Sequence, residues 1–324
     1  MKIYHNISDF DKQQHAVVTI GTFDGIHYGH QKIINRLREI AHQQNGTTVL
    51  LSFFPHPRMI IDPENQNLKM INTIDEKADL LAKMGIDNLI ITPFTRDFSN
   101  LSPDEYIKTI LVDQIGTKHL IIGYDHRFGK DRSGDLTHLK NAGKKYGFTV
   151  EEIPEQDIND VAVSSTKIRK ALLDGDVKLA SDYLGYNFSI SGRVIKGDKI
   201  GRTIGFPTAN IFVEETYKLI PGDGIYAVTV EMDEQLIPDS ELQNPNSFPM
   251  TYYGMAYIGQ RPTINGMTRN IEVNIFDFNR EIYGQNIKMN FHQFLRGDVK
   301  FSGLEALTVQ LKQDKEDTLA YFKN

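Results

Sequence analysis

The chain turns on Gly21-Thr-Phe-Asp-Gly-Ile-His-Tyr-Gly-His30. Ahead of it, Ala16-Val-Val-Thr-Ile20 is short, apolar and β-branched, which predicts a buried strand. Behind it, residues 31–43 put Ile33, Ile34, Leu37 and Ile40 on one helical face. Two histidines and three glycines thus occupy a strand-to-helix loop, where an open parallel sheet presents its ligands. His27 and His30, three apart at the start of the helix, point the same way. Gly29 between them removes a Cβ, so a phosphate can approach the backbone at a helix N-terminus. The stretch predicts a nucleoside triphosphate site.

Outward from it, strand-like apolar runs recur at 47–54, 88–93, 119–123 and 148–153. Helical patterns lie between them, at 74–84, 103–114 and 136–146. Ser102-Pro103 reads as an N-cap followed by proline at the first helical position. Gly85, Gly116 and Gly147 stand just past helix ends, where a left-handed residue is wanted. Strands apolar throughout, alternating with helices, predict an α/β domain on a parallel sheet covered on both faces.

The other strand ends on that edge carry related chemistry. After the second strand comes Phe53-Phe-Pro-His-Pro-Arg58, two aromatics and a cation on a proline-stiffened backbone. After the fourth comes a loop, 123–134, that offers Asp125, Arg127, Lys130 and Arg132. After the fifth comes Val163-Ser-Ser-Thr-Lys-Ile-Arg169, hydroxyls able to cap a helix beside Lys167 and Arg169. Taken singly, these features have plain readings. His56, His126 and His138 read as surface residues, Ser164 and Thr166 as a cap, Asp24 as a turn former, Phe53 and Phe54 as core. His27 and His30 as metal ligands lack a third His or Cys at a supporting spacing. The coincidence of His, Arg, Lys and hydroxyl groups on one edge points to a polyphosphate.

Near residues 183–187 the pattern changes. After helices at 166–173 and 177–184, period-2 runs follow at 189–196, 225–232, 251–258, 270–278 and 286–295. Turn residues separate them, as in Pro221-Gly-Asp-Gly224, Ile237-Pro-Asp-Ser240 and Tyr283-Gly-Gln285. They predict a small closed antiparallel barrel, with domains at 1–184 and 185–324. A last helix, 303–322, is expected to turn Leu304, Leu307, Val309 and Leu311 toward the barrel.

The barrel's chemistry lies in Gly197-Asp-Lys-Ile-Gly-Arg-Thr-Ile-Gly-Phe-Pro-Thr-Ala-Asn210. Gly197, Gly201 and Gly205 let backbone wrap an anion. Phe206-Pro207 sets an extended approach to Thr208 and Asn210, neutral oxygen ligands that Mg²⁺ tolerates beside phosphate. A plain glycine-rich hairpin is the alternative. There is no Walker lysine motif, so this is not a P-loop enzyme. In Ile271-Glu-Val-Asn-Ile-Phe-Asp-Phe278, Glu272 shares a strand face with Asn274, Phe276 and Phe278. That makes Glu272 a candidate general base beside a flat ring, or a residue of an exposed strand face. Arg296 could hold the ring or a phosphate.

Composition bounds the rest. A length of 324 residues suits two domains, each burying its own core. A net charge of −6 without a basic run predicts no nucleic-acid partner. The chain has no cysteine, hence no disulfide, thiolate metal site or thiol nucleophile, which suits a cytoplasmic protein. The first residues lack a signal peptide's apolar core, and no run reaches the roughly 18 apolar residues of a membrane span. No membrane partner is expected.

These halves, in this order, resemble the bifunctional bacterial riboflavin kinase/FMN adenylyltransferases, or bifunctional FAD synthetases, over essentially the whole chain. Residues 21–31 resemble the family's nucleotidylyltransferase motif, with His27 and His30 as its paired histidines. Residues 53–58, 123–129 and 164–169 resemble its other adenylyltransferase motifs. Gly205-Phe-Pro-Thr-Ala-Asn210 matches its kinase signature, and Glu272 falls at its catalytic acid. The resemblance implies a Rossmann-like nucleotidylyltransferase domain followed by a kinase barrel.

In the barrel it implies transfer of the γ-phosphate of ATP to a ribityl hydroxyl of riboflavin, giving FMN and ADP. Glu272 would be the base, and Thr208 and Asn210 would hold Mg²⁺, or another hard divalent cation, with phosphate. Gly197, Gly201, Arg202, Gly205 and Pro207 would line the ATP. In the first domain it implies transfer of AMP from a second ATP to FMN, giving FAD and pyrophosphate. Gly21, Phe23, Asp24, Gly25, His27, Gly29, His30, Ser164, Thr166 and Arg169 would bind that ATP. The histidines would stabilise charge on the α-phosphate and leaving group, and the FMN phosphate itself would attack. Phe54, His56, Arg58, Asp125 and Arg127 are flavin candidates there, and Arg296 is one in the barrel. Three places depart from the family pattern: His126 for a commoner Phe, Asn274 for a frequent His, and Arg296-Gly-Asp298 for an Arg-acid-Glu run.

Overall fold

Six strands carry the first half: β1 (Lys2–Tyr4), β2 (Ala16–Ile20), β3 (Thr47–Phe54), β4 (Asn88–Pro93), β5 (Thr117–Gly123) and β6 (Thr149–Ile153). They lie in the order β1-β4-β3-β2-β5-β6, every neighbouring pair parallel. The computed structural model describes residues 1–62, 64, 67–154, 163–197, 200–232, 250–259 and 269–323. Its contacts divide the chain into two units, Met1–Ser165 and Thr166–Asn324.

β2 is buried at all five positions. Its side chains alternate, Ala16, Val18 and Ile20 into one apolar cluster and Val17 into the other, so the sheet is covered on both faces. The helices are α1 (Tyr28–Gln43), α2 (Pro57–Ile61), α3 (Ile74–Lys83), α4 (Arg96–Ser99), α5 (Pro103–Glu105, continued over Tyr106–Ile115) and α6 (Leu136–Tyr146). In α1, Ile33, Ile34, Leu37 and Ile40 are buried as their spacing predicts. Ser102 caps α5 through a reciprocal bond with Glu105, and Gly85, Gly116 and Gly147 take positive φ after their helices.

Three local differences stand out. Helix α1 starts at Tyr28 rather than 31, so the paired histidines belong to its first turn. Helix α5 is α-helical only over Pro103–Glu105 and continues as a π-helix over Tyr106–Ile115, which buries Tyr106, Ile107, Ile110, Leu111 and Ile115. The three-residue β1 is too short to show periodicity.

Strand β2 leads leftward in the sheet through α1 to β3, whereas β5 leads rightward through α6 to β6. The order therefore reverses between β2 and β5, and the loops after their carboxyl ends flank a crevice suited to a ligand. The 21–30 loop follows β2.

The second unit opens with α7 (Ser165–Leu173), whose first residue still belongs to the first unit, and α8 (Val177–Leu184). Then come β7 (Ser189–Ile195), α9 (Ile200–Thr203), β8 (Ala209–Phe212), β9 (Gly224–Met232), β10 (Met250–Gly259), β11 (Asn270–Ile275), β12 (Asn286–Arg296) and α10 (Leu304–Lys323). The strands close a barrel in the order β10-β11-β8-β7-β12-β9, all pairs antiparallel. The four-residue β8 went unread because it hides inside the glycine-rich stretch. The turn expected at 237–240, and Asp198 and Lys199, lie outside the described residues.

The face of α10 is a correction. Leu304 and Val309 are 56% and 68% exposed, not turned to the barrel. The buried residues are Asp314 and Thr318, while Leu311 and Leu319 pack on Phe206, Ile225, Met255 and Phe276. The true stripe has a polar centre whose groups are satisfied: Arg296 binds Asp314, and the Thr318 hydroxyl donates to the Asp314 carbonyl. Hydrophobic spacing alone could not find it.

Candidate active sites

Between β2 and α1 the backbone bends sharply. Phe23, Gly25 and Ile26 take φ of 46°, 88° and 38°. A left-handed non-glycine residue costs about 1–3 kcal/mol. Phe23 and Ile26 are 2% and 1% exposed, inside the cluster that α1 covers. Burying such side chains stabilises by about 1.5–3 kcal/mol each, enough to offset the strain.

The bends bring His27, the N-cap of α1, onto His30 one turn later. Their rings stack with centroids 3.8 Å apart and planes 18° apart, and Phe23 lies 4.8 Å from His30. Both Nδ1 atoms are buried without a hydrogen-bond partner among the described residues. Desolvation lowers His27 to about 4. Desolvation, then His27 and Lys77, pushes His30 well below the ordinary histidine value. Neutral imidazoles each offer one N–H and one lone pair, and an unmatched buried polar atom marks a place for a ligand.

The loop is braced from behind. Asp24, fully buried, accepts the amides of Ile71 at 2.9 Å and Asn72 at 3.4 Å, so it ties the loop to the segment before α3. Its carbonyl accepts the hydroxyl of Ser165 at 2.9 Å. Sequence reasoning missed Lys77. Fully buried on α3, it donates to the Thr22 carbonyl at 2.7 Å and the Ser52 hydroxyl at 3.3 Å. Its signal was a lysine on the apolar face of α3 beside Ala78 and Leu81.

The neighbouring loops are more varied. Phe53 is core, and Phe54 packs at the edge of the other cluster. His56 is not a surface residue: it is 8% exposed and caps α2, its Nδ1 accepting the Arg58 amide at 3.1 Å. His126 departs from the surface reading too. It stacks on Phe128 at 5.8 Å, its Nε2 is buried without a partner among the described residues, and desolvation lowers it to about 4. His138 is exposed beside Asp135, as expected. Arg58, Asp125 and Arg127 are exposed, Arg127 lying 3.4 Å from Asp135. Ser164 and Ser165 end the first unit; Thr166, Lys167 and Arg169 follow on α7.

In the barrel, Glu272 of β11 stands opposite Asn210 of β8. Its half-buried carboxylate accepts the Thr208 hydroxyl at 2.9 Å and the Asn270 amide at 2.5 Å. The Asn274 amide donates to the Pro207 carbonyl at 2.7 Å and fixes the corner before Thr208. The Gly201 carbonyl accepts the amides of Ile204 and Phe206, and Gly205 takes φ 82°, a turn that favours glycine. Arg202 is exposed, 3.9 Å from Glu281. Arg296 holds Asp314 through Nε and a terminal nitrogen on one edge of its guanidinium and lies over Phe301.

Residues 9–167 match the family model described as FAD synthetase, and residues 184–322 the one described as riboflavin kinase. The bifunctional riboflavin kinase/FMN adenylyltransferase of Listeria monocytogenes is 38% identical over 94% of this chain and 92% of its own. That of Haemophilus influenzae is 37% identical over 96% of each. The chain belongs to this family. As a bifunctional riboflavin kinase/FMN adenylyltransferase family member it pairs two transferase domains, and the two sites above fall one in each. A solved structure described as a macrolide-efflux protein from Streptococcus pneumoniae is 31% identical, covers 98% of each chain and superposes with a TM-score of 0.84. Among the described residues of the present chain, no helix is long and apolar enough to cross a membrane.

Proposed function

We propose that the barrel phosphorylates riboflavin to FMN, and that the parallel-sheet domain adenylylates FMN to FAD with release of pyrophosphate. The observation that carries the kinase assignment is the Thr208–Glu272 hydrogen bond, which sets a carboxylate beside the glycine-rich loop. Glu272 accepts the proton of the ribityl hydroxyl as that oxygen bonds to the γ-phosphorus and the bond to ADP breaks. Thr208 and Asn210 supply neutral oxygens beside this carboxylate, a donor set suited to Mg²⁺ that keeps its waters and phosphate oxygens. Among the described residues no group of three or more His, Asp or Glu could hold a metal by itself. Held there with ATP, such a cation would neutralise charge on the transferring phosphoryl group. Gly197, Gly201, Arg202, Gly205 and Pro207 line the phosphates. Arg296, engaged by Asp314, serves the flavin by fixing the barrel's last strand.

In the first domain the stacked histidines carry the assignment. A FMN phosphate oxygen attacks the α-phosphorus of ATP, and the bond to pyrophosphate breaks without an enzyme nucleophile. Neutral His27 and His30 donate N–H groups where charge grows, and low local polarity strengthens those bonds. Gly21, Phe23, Asp24, Gly25 and Gly29 shape the loop, Ser164, Thr166 and Arg169 contribute to the triphosphate, and Phe54, His56, Arg58, Asp125 and Arg127 to the flavin. We assign residues 1–184 to adenylyl transfer and 185–324 to the kinase. The lack of cysteine suits work in the cytoplasm.

Purified protein given riboflavin, ATP and Mg²⁺ should yield FMN and then FAD by chromatography. FMN that accumulates alone, with FMN plus ATP inert, would overturn the adenylyltransferase half.

A further inference from the structure

Lys77 is the fully buried cation beneath the histidine loop, on a helix face otherwise given to Ala78 and Leu81. An apolar side chain there would avoid the cost of desolvating an ammonium. Its bonds are specific: Nζ donates to the Thr22 carbonyl at 2.7 Å and to Ser52 Oγ at 3.3 Å, and Ser52 Oγ donates in turn to the same carbonyl at 3.2 Å. Thr22 directly precedes the left-handed Phe23 that packs on His30.

We propose that Lys77 is a positioning residue for adenylyl transfer: it fixes the Thr22 turn from behind and sets a positive charge beside His30 of the stacked pair. This rests on the reading of that loop as the adenylyltransferase site. Among the described residues, the charged or titratable groups that bear on it are Asp24 on the loop and His30 on α1, and β3 contributes the Ser52 hydroxyl. Asp24 favours the ammonium, and the ammonium disfavours protonation of His30. A bound triphosphate would draw protons onto the histidines; the lysine behind them opposes that and keeps them as neutral donors. Burial brings Lys77 down to about 8, so it still carries its charge over the acid and neutral range in which the histidines could be protonated.

The test compares wild type with Lys77→Met, following FAD formation from FMN and ATP, with FMN formation from riboflavin as an internal control. Lys77→Met should lose about tenfold or more in kcat for FAD, gain an acid limb at higher pH than any in wild type, and keep kinase activity. Ser52→Ala should weaken FAD formation less and keep the wild-type pH profile. A loss of rate in Lys77→Met with the pH profile unchanged, the mark of a purely structural lysine, overturns the proposal. Nitrogen-15 NMR of labelled histidine in wild type and Lys77→Met reads the same contact without turnover: His30 should take up its proton at higher pH in the variant, and protonation of the wild-type pair near 6.5, or equal titrations in the two proteins, overturns the proposal. Wild type that forms no FAD defeats the adenylyltransferase reading instead, and the shift of His30 between the two proteins then decides the role of Lys77 by itself.

Discussion

Arg296 grips Asp314 through two hydrogen bonds, Nε at 2.8 Å and a terminal nitrogen at 2.7 Å, and so ties β12 to α10. The Asp314 side chain is 1% exposed and that of Arg296 19%. Gln310 adds a bond to the same carboxylate at 2.9 Å. Removing one partner strands the other's charge, whereas the intact pair contributes little net stability. Asp314→Ala should therefore destabilise the second unit by about 3 kcal/mol. Denaturant unfolding followed by tyrosine fluorescence checks this, and an unchanged midpoint would refute the anchor role.

The proposed role of Glu272 as general base makes a sharper statement. Glu272→Gln keeps the shape and can still meet Thr208 and Asn270, but it cannot take a proton. FMN formation should fall by about 10²–10⁴, with FMN-to-FAD conversion intact. Loss of both activities would mean that the two sites are misassigned.

The same barrel tests the glycine loop. A Cβ on Gly197 would lie 2.3 Å from the Asn210 side-chain nitrogen. That neighbour is the end of a side chain, so the fold should survive while Asn210 is pushed aside. Displacement on the order of 1 Å at a positioning residue can cost about 10²-fold. Gly197→Ala should lose kinase rate on that scale, shift stability by less than about 1 kcal/mol, and leave FAD formation from FMN unchanged. Kinase rates equal to wild type would remove Asn210 from the site.

How much of this was legible beforehand follows from where the signal lies. Strands such as Ala16–Ile20 and helices such as Val177–Leu184 are written in single-residue periodicity, and the structure has them where the spacing puts them. The histidine pair and Glu272 were visible because polar groups in a strand-to-helix loop or beside a glycine-rich loop are chemically conspicuous. Lys77 and Asp314 were not. Each sits at an apolar position of a helix, and its meaning depends on partners 55 and 18 residues away, Thr22 and Arg296. No local window contains both halves of such a contact. His56 and His126 carry no local mark of their burial for the same reason, since burial is set by what folds over them.

Acid should weaken the first unit, and the sign follows from the histidines. In the unfolded chain His27 takes a proton near 6.5; in the folded unit burial holds it to about 4. Between those values the unfolded state binds more protons, so stability is full above 6.5 and falls as pH drops toward 4. His27, 7% exposed, accounts for about 3 kcal/mol across that window, and His30 and His126 act in the same direction. Carboxylates titrate there too, so the decisive comparison is with His27→Asn, measured by denaturant midpoints from neutral pH downward. The variant should lose less stability than wild type between 6.5 and about 4.5, and by an amount on the scale of that one histidine. Parallel curves for the two proteins would mean that His27 is protonated in the folded loop, and the neutral pair required for its part in adenylyl transfer would be wrong.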